Sequence, residues 1–161
     1  MKKVFILGIL LLFLCGCSNK RTVQPILNNI SFTAVVEYNS NNYNADVTIL
    51  NESLNMVVIE PKEISGLMFS VDKSGVTAEF NGISQNVDIN SFSQGNVASI
   101  IFSVIDDIAQ KNTVCGEENC EITGRVDDHQ YRFSFSPTGL PLSLEFDDIN
   151  LKIKFNNVTL K

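Results

Sequence analysis

The feature that most constrains the fold is an alternation of apolar and polar residues, which recurs in short runs along most of the chain. Residues 43–49 (YNADVTI) are a clear case, because every second side chain is apolar. Successive side chains of a strand point to opposite faces, so this period predicts strands buried on one face. Turn sequences such as Asn81-Gly82 separate the runs and favour antiparallel hairpins. The pattern therefore predicts an antiparallel sheet.

One stretch breaks this period. Between Asn96 and Lys111 the apolar residues follow helical spacing, which predicts a short amphipathic helix. About six strands precede the helix and four or five follow it. A sheet of about ten strands with one apolar face is expected to curl, and the helix must bury its apolar stripe against that face. The predicted fold is mostly β (α+β): a curled antiparallel sheet or incomplete β-barrel of about ten strands, with one amphipathic helix packed on its concave face.

The first residues form a separate unit. Lys2 and Lys3 precede an apolar run over residues 4–14, and Leu14-Cys15-Gly16-Cys17 follows. This order of positive charge, apolar run and small residues is typical of a secretory signal peptide. The run is about eleven residues long, whereas a membrane-spanning helix needs about twenty. We expect a signal peptide over residues 1–16; an uncleaved anchor or a buried N-terminal helix is the alternative.

The last four residues of this unit resemble the lipobox of bacterial lipoproteins. The resemblance implies that Cys17 is lipidated and that cleavage occurs just before it. The expected location is then the extracytoplasmic side of a membrane in the cell envelope, with acyl chains as the anchor. Residues 17–29 would be the lipidated N-terminus and a polar tether, and residues 30–161 one β domain.

Charge limits the classes of partner. The chain carries a formal net charge of −6, which becomes −8 when Lys2 and Lys3 leave with the signal peptide. A basic patch of the kind that binds nucleic acid is absent from the sequence, so nucleic acid is not an expected partner. The negative charge also disfavours binding to anionic lipid head groups, so membrane attachment would depend on the acyl chains.

Two further cysteines, Cys115 and Cys120, enclose a four-residue loop. An exported protein can oxidise such a pair to a disulfide. Free thiols are the alternative that the sequence leaves open. Neither a histidine nor a second cysteine pair lies close by in sequence, so a metal site is not expected here.

The sequence contains little that indicates catalysis. His129 is the only histidine and follows Asp127-Asp128 in a predicted turn, with no nucleophile motif to partner it. The other acidic pairs lack the spacing of a calcium-binding loop. We therefore expect no enzymatic activity, no metal and no cofactor.

The order of elements resembles the LolA/LolB lipoprotein carriers and the related LppX/LprG lipid carriers. The resemblance rests on residues 32–38 with 43–47, on residues 61–69 and on residues 139–146 with 149–155. Those families are incomplete β-barrels whose concave face, covered by helices, holds acyl chains. The resemblance implies the same fold and a hydrophobic ligand, lipid or acyl chain, for this chain.

An apolar surface between the helix and one strand is the candidate ligand site. Its expected lining residues are Ile101, Val104, Ile105, Ile108, Tyr131, Phe133 and Phe135. A carrier would need an apolar cavity of a few hundred cubic ångströms there. An ordinary packed core is the alternative, and would favour a non-enzymatic envelope module that binds a protein partner.

Overall fold

The computed structural model describes residues 22–87, 97–109, 111, 113–116 and 118–161. The expected signal peptide and Cys17 lie outside these residues. Most of the described chain is β-strand. The strands are β1 Thr22–Val23, β2 Ile30–Tyr38, β3 Asn41–Leu50, β4 Ser53–Glu60, β5 Met68–Asp72, β6 Gly75–Phe80, β7 Ile83–Val87, β8 Thr113–Val114, β9 Cys120–Val126, β10 His129–Phe135, β11 Pro141–Phe146 and β12 Leu151–Leu160.

Ten of the strands form one antiparallel sheet in the order β7-β6-β5-β4-β3-β2-β12-β11-β10-β9. Neighbours in the sheet are mostly neighbours in sequence, as short hairpin turns require. The exception is the centre, where β2 pairs with β12 and Ile30 lies opposite Leu160. The sheet is not closed into a barrel, which confirms the predicted curled sheet with about ten strands. The C-terminal strand β12 therefore lies in the middle of the sheet.

The predicted helix is present as α1, Val97–Ile108. Its apolar stripe packs against strands β4, β5 and β9, so the helix lies across the concave face of the sheet. Val97, Ile101, Val104 and Ile108 are buried there, each at most 1% exposed. A 3₁₀ turn, Lys62–Ile64, connects β4 to β5.

Residues 22–29, assigned to the tether from sequence, contact the domain. Thr22–Val23 pairs with Thr113–Val114 in a second, two-stranded sheet. Leu27 is buried in the core, and the backbone N–H of Ile26 donates to the carbonyl of Gly139 at 2.8 Å. The folded part therefore begins before residue 30, because this segment has apolar side chains that the strand pattern alone did not assign.

Candidate functional site

Six of the seven predicted ligand-lining residues are buried in the core, namely Ile101, Val104 and Ile108 of α1 and Tyr131, Phe133 and Phe135 of β10. The seventh, Ile105, is half-buried. Phe133 and Phe135 are 2% and 0% exposed, and their ring centroids lie 5.9 Å apart. Tyr131, on the same face of β10, contacts Phe146 with a centroid distance of 5.9 Å. Side chains in such close contact leave little empty space, as in most protein interiors.

A small apolar void remains under the helix, with a volume of about 10 Å³. Ile101, Val104 and Ile105 of the helix line it together with Phe133. This volume is about the smallest that could hold one water molecule, and it is far below the few hundred cubic ångströms expected for a carrier cavity. In this conformation the core is filled, and an acyl chain could enter it only if α1 moved.

A larger apolar groove lies at the surface beside the same void. Its volume is about 180 Å³. Its walls come from the segment before β2, from β3, from two hairpin turns and from α1 between its middle and its C-terminal end. Three residues, Leu27, Ile49 and Ile105, line both the groove and the void. The groove is thus the outer part of one apolar region that continues into the core. Its lining residues are Leu27, Asn28, Ile49, Glu52, Lys73, Phe102, Ile105, Asp106 and Ala109.

Charged groups surround this groove. Lys73 Nζ forms an exposed ion pair with Glu52 Oε2 at 2.5 Å. The hydrogen bond and charge of Glu52, with a smaller contribution from the charge of Asp106, raise the pKa of Lys73. Asp106 itself is exposed on α1, in the last turn of the helix. Among the described residues of the groove rim, two carboxylates and one ammonium therefore give a net negative charge.

A polar cluster joins the C-terminal end of α1 to the sheet. Tyr131 Oη donates a hydrogen bond to Asp107 Oδ2 at 2.5 Å, and Lys111 Nζ donates to the same oxygen at 2.5 Å. Lys111 Nζ also lies 5.5 Å from the centroid of the Tyr131 ring. These contacts tie the helix end to strand β10, so we call Asp107, Lys111 and Tyr131 the helix latch.

The latch shifts two pKa values in opposite directions. Burial alone would raise the pKa of Asp107, but hydrogen bonds from Lys111 and Tyr131 hold it below its ordinary value. Burial, together with the hydrogen bond to Asp107, raises the pKa of Tyr131. The Asp107 carboxylate is consequently stabilised in its charged form, and Tyr131 remains a neutral donor.

The latch should make stability depend on pH in the acid range. Because the pKa of Asp107 is lower in the folded than in the unfolded chain, its contribution is present above the unfolded value of about 3.9 and is lost as pH falls through the folded value. The free energy of unfolding of the unsubstituted protein should fall between pH 7 and pH 3. We expect a smaller fall for Asp107→Asn, measured by urea titration at each pH. Asp106→Asn, which removes the neighbouring carboxylate, is the control. An unchanged pH dependence in Asp107→Asn would contradict the assignment.

The two loop cysteines form a disulfide, Cys115–Cys120, with Cα atoms 4.4 Å apart. This confirms the predicted bond over the alternative of free thiols. Cys120 begins β9, and Thr113 Oγ1 donates to the carbonyl of Glu121 at 3.1 Å. The disulfide therefore holds the segment that follows α1 close to the edge of the sheet.

His129 and the acidic turns belong to a surface network. His129 Nδ1 lies 2.8 Å from Asp148 Oδ2, and Arg132 reaches Asp147 at 3.0 Å. These contacts connect strand β10 to the turn between β11 and β12. Among the described residues, no group of three or more His, Cys, Asp or Glu side chains is placed to hold a metal ion. Within the same ranges, no helix is both long and apolar enough to cross a membrane.

Sequence reasoning found the helix side of the site and missed the groove. Ile105 was predicted, whereas Leu27, Ile49, Glu52, Lys73 and Asp106 were not. They come from four separate segments of the chain. The one available signal was Leu27, an apolar residue inside a segment otherwise assigned to a polar tether.

Comparisons with known proteins give distant likenesses of fold. No protein-family model matches the chain, and no curated protein matches it. An uncharacterized conserved protein from Thermus thermophilus is similar in structure, with a TM-score of 0.49 and 8% identity over 82% of this chain and 78% of that one. The LolA superfamily protein NE2245 from Nitrosomonas europaea has a TM-score of 0.39 and 12% identity over 82% of this chain and 84% of that one. The second neighbour belongs to the superfamily that the sequence resembles, but likenesses this distant carry no argument about function.

Proposed function

We propose that this chain is a membrane-anchored lipoprotein of the cell envelope that binds a hydrophobic ligand, a lipid or acyl chain, without catalysing a reaction. The observation that supports the proposal most is the surface groove of about 180 Å³ that shares three apolar residues with the void under α1. The ligand chain would lie in the groove, between α1 and the β3–β4 turn.

The size of the groove sets how much ligand it holds. If each methylene takes up about the 30 Å³ of one liquid water molecule, a groove of about 180 Å³ accommodates roughly six methylenes, which is part of a single alkyl chain. Burial at about 0.8 kcal/mol per methylene would favour binding by about 5 kcal/mol before the entropy of immobilisation is subtracted. Displacement of α1 would be needed to bury more of the chain. The helix latch opposes that movement at one end of the helix.

The position of the groove also supports the proposal. Leu27, which lines it, follows the expected lipidation site Cys17 by ten residues. An extended segment of that length reaches at most about 35 Å. A chain anchored at Cys17 would therefore keep the mouth of the groove close to the membrane from which a lipid would enter.

Native mass spectrometry of the full chain in a neutral detergent tests the proposal. We expect one retained lipid or acyl-chain adduct, lost on denaturation. The substitution Ala109→Phe should fill the groove and abolish the adduct. Gln130→Phe adds the same side chain to the outer face and should leave the adduct unchanged. Absence of an adduct from the unsubstituted chain, even after incubation with envelope lipids, would reject the proposal.

A second candidate is an envelope interaction module with a protein partner, and the filled core favours it. The sheet ends in edge strand β7, whose Ile83 is 75% exposed. An exposed edge can accept a strand from another protein. If no lipid adduct is found, Ile83→Lys should then abolish recovery of a cross-linked envelope protein, whereas Ala109→Phe should not.

A further inference from the structure

The groove has an electrostatic character that bears on the ligand's headgroup. We propose that it takes a single alkyl chain whose headgroup carries an ammonium, in preference to one with an anionic headgroup. This inference rests on the proposed function, because it concerns the same groove. Three features of the lining support it: the charge of the rim, the C-terminal end of α1 and the aromatic ring of Phe102.

The first feature is the rim charge. Among the described residues that line the groove, Lys73 is the one cation, and its ammonium is held by Glu52 at 2.5 Å. Asp106 is the second carboxylate, on the helix side of the same groove. With Lys73 already paired, an incoming anion would meet a net negative rim, whereas an ammonium would meet an exposed carboxylate.

The second feature is the end of the helix. Ile105 and Asp106 lie in the last turn of α1, which ends at Ile108, and Phe102 lies one turn before them. The backbone dipoles of a helix place partial negative charge at its C-terminus, which attracts cations. Asp106 and the helix end thus act in the same direction on a charged headgroup.

The third feature is the aromatic ring of Phe102 in the groove wall. The half-buried phenyl ring gives apolar contact to the alkyl chain, and aromatic rings in general attract an ammonium through their faces. An anionic headgroup gains nothing from that face. The arrangement of apolar floor, aromatic wall and acidic rim therefore matches a chain that ends in an ammonium group.

Photo-cross-linking of the full chain in dodecyl maltoside micelles tests the headgroup preference. Three trace probes carry the same photoreactive dodecyl chain, ending in trimethylammonium, phosphate or hydroxyl. Mass spectrometry measures the fraction of each probe attached to the peptide that contains Phe102 and Ile105. We expect the trimethylammonium probe to label this peptide about threefold more than the phosphate probe, a ratio typical of one partly exposed charge pair.

Charge variants separate a local effect from the overall negative charge. Asp106→Asn should remove the preference for trimethylammonium, and Asp106→Lys should reverse it in favour of phosphate. Glu63→Lys makes the same change in net charge as Asp106→Lys, but on the exposed 3₁₀ turn at the opposite end of β4 from Glu52, and should leave the ratio unchanged.

The outcomes distinguish the two proposals. Equal labelling of the groove peptide by all three probes, or an equal effect of Glu63→Lys and Asp106→Lys, would overturn the headgroup inference and leave the proposed function standing. If none of the probes labelled the groove peptide, both proposals would fail.

Discussion

Replacing Phe135 with alanine will lower the free energy of unfolding by about 3–5 kcal/mol, the range for removing a large aromatic side chain from a packed core. Phe135 is fully buried on β10 and its ring stacks on Phe133. Strands β9 and β11 flank it on either side, so the surrounding structure has little freedom to collapse into the space. Urea unfolding followed by circular dichroism measures the effect.

The size of this effect also distinguishes core from ligand cavity. If Phe135 lined an empty cavity, its removal would enlarge a space that already exists and would cost much less. Leu142→Ala on neighbouring strand β11 is the control, because Leu142 is 39% exposed and surface substitutions usually change stability by less than about 0.5 kcal/mol. A loss below about 1 kcal/mol for Phe135→Ala would contradict the filled core.

Substituting Gly124 by alanine will destabilise the protein by about 1–3 kcal/mol, as overpacking of a core does. Gly124 lies directly opposite Tyr131 across the β9–β10 pair, and the tyrosine ring covers it. A Cβ atom at this position would lie 2.5 Å from Tyr131 Cζ. The ring cannot yield easily, because Tyr131 is 1% exposed and its hydroxyl is held by Asp107.

A double-mutant cycle isolates this contact. In a Tyr131→Ala background the added methyl has space, and Gly124→Ala should become neutral or stabilising, because glycine in a strand interior is about 0.5–1 kcal/mol less favourable than alanine. The free energies of unfolding of the four proteins give the coupling. Equal effects of Gly124→Ala in both backgrounds would show that the ring is not what excludes the methyl group.

Gly124 also bears on the proposed function, since it allows the helix latch to form. Because Gly124 has no side chain, the Tyr131 ring fits against it, and its hydroxyl reaches Asp107 on α1. A side chain at position 124 would displace the hydroxyl and release the C-terminal end of the helix. If ligand entry needs α1 to move, Gly124→Ala and Tyr131→Phe should both speed ligand exchange, because both weaken the helix latch. Only Gly124→Ala also overpacks the sheet.

Local pattern determined much of the fold. Alternation assigned an inward and an outward face to each strand, and the structure buries the predicted residues, for example Ala45, Val47 and Ile49 of β3. The change of period predicted α1 to within a few residues of its observed bounds. Both predictions hold because one buried face imposes its period on the residues of a single element, whatever that element packs against.

The local sequence pattern did not determine which strands pair with one another in the sheet. An alternating strand is compatible with any partner, so the meeting of β2 with β12 at the centre of the sheet could not be predicted from either segment. The disulfide was one of two interpretations left open by the spacing of Cys115 and Cys120, and the distance between their Cα atoms decided it.

The candidate site shows the same division. The sequence by itself predicted that the apolar residues of α1 would pack on the apolar face of the sheet, because each has a single apolar face and the two must cover each other. Only the tertiary structure decided that they fill the space between them, since packing depends on the combined volumes of side chains from many strands. The groove and its charges also depend on the tertiary structure. The fold brings together residues that lie far apart in the sequence, and the local alternation of apolar and polar residues does not predict this. These residues are Leu27, Ile49, Glu52, Lys73 and Asp106.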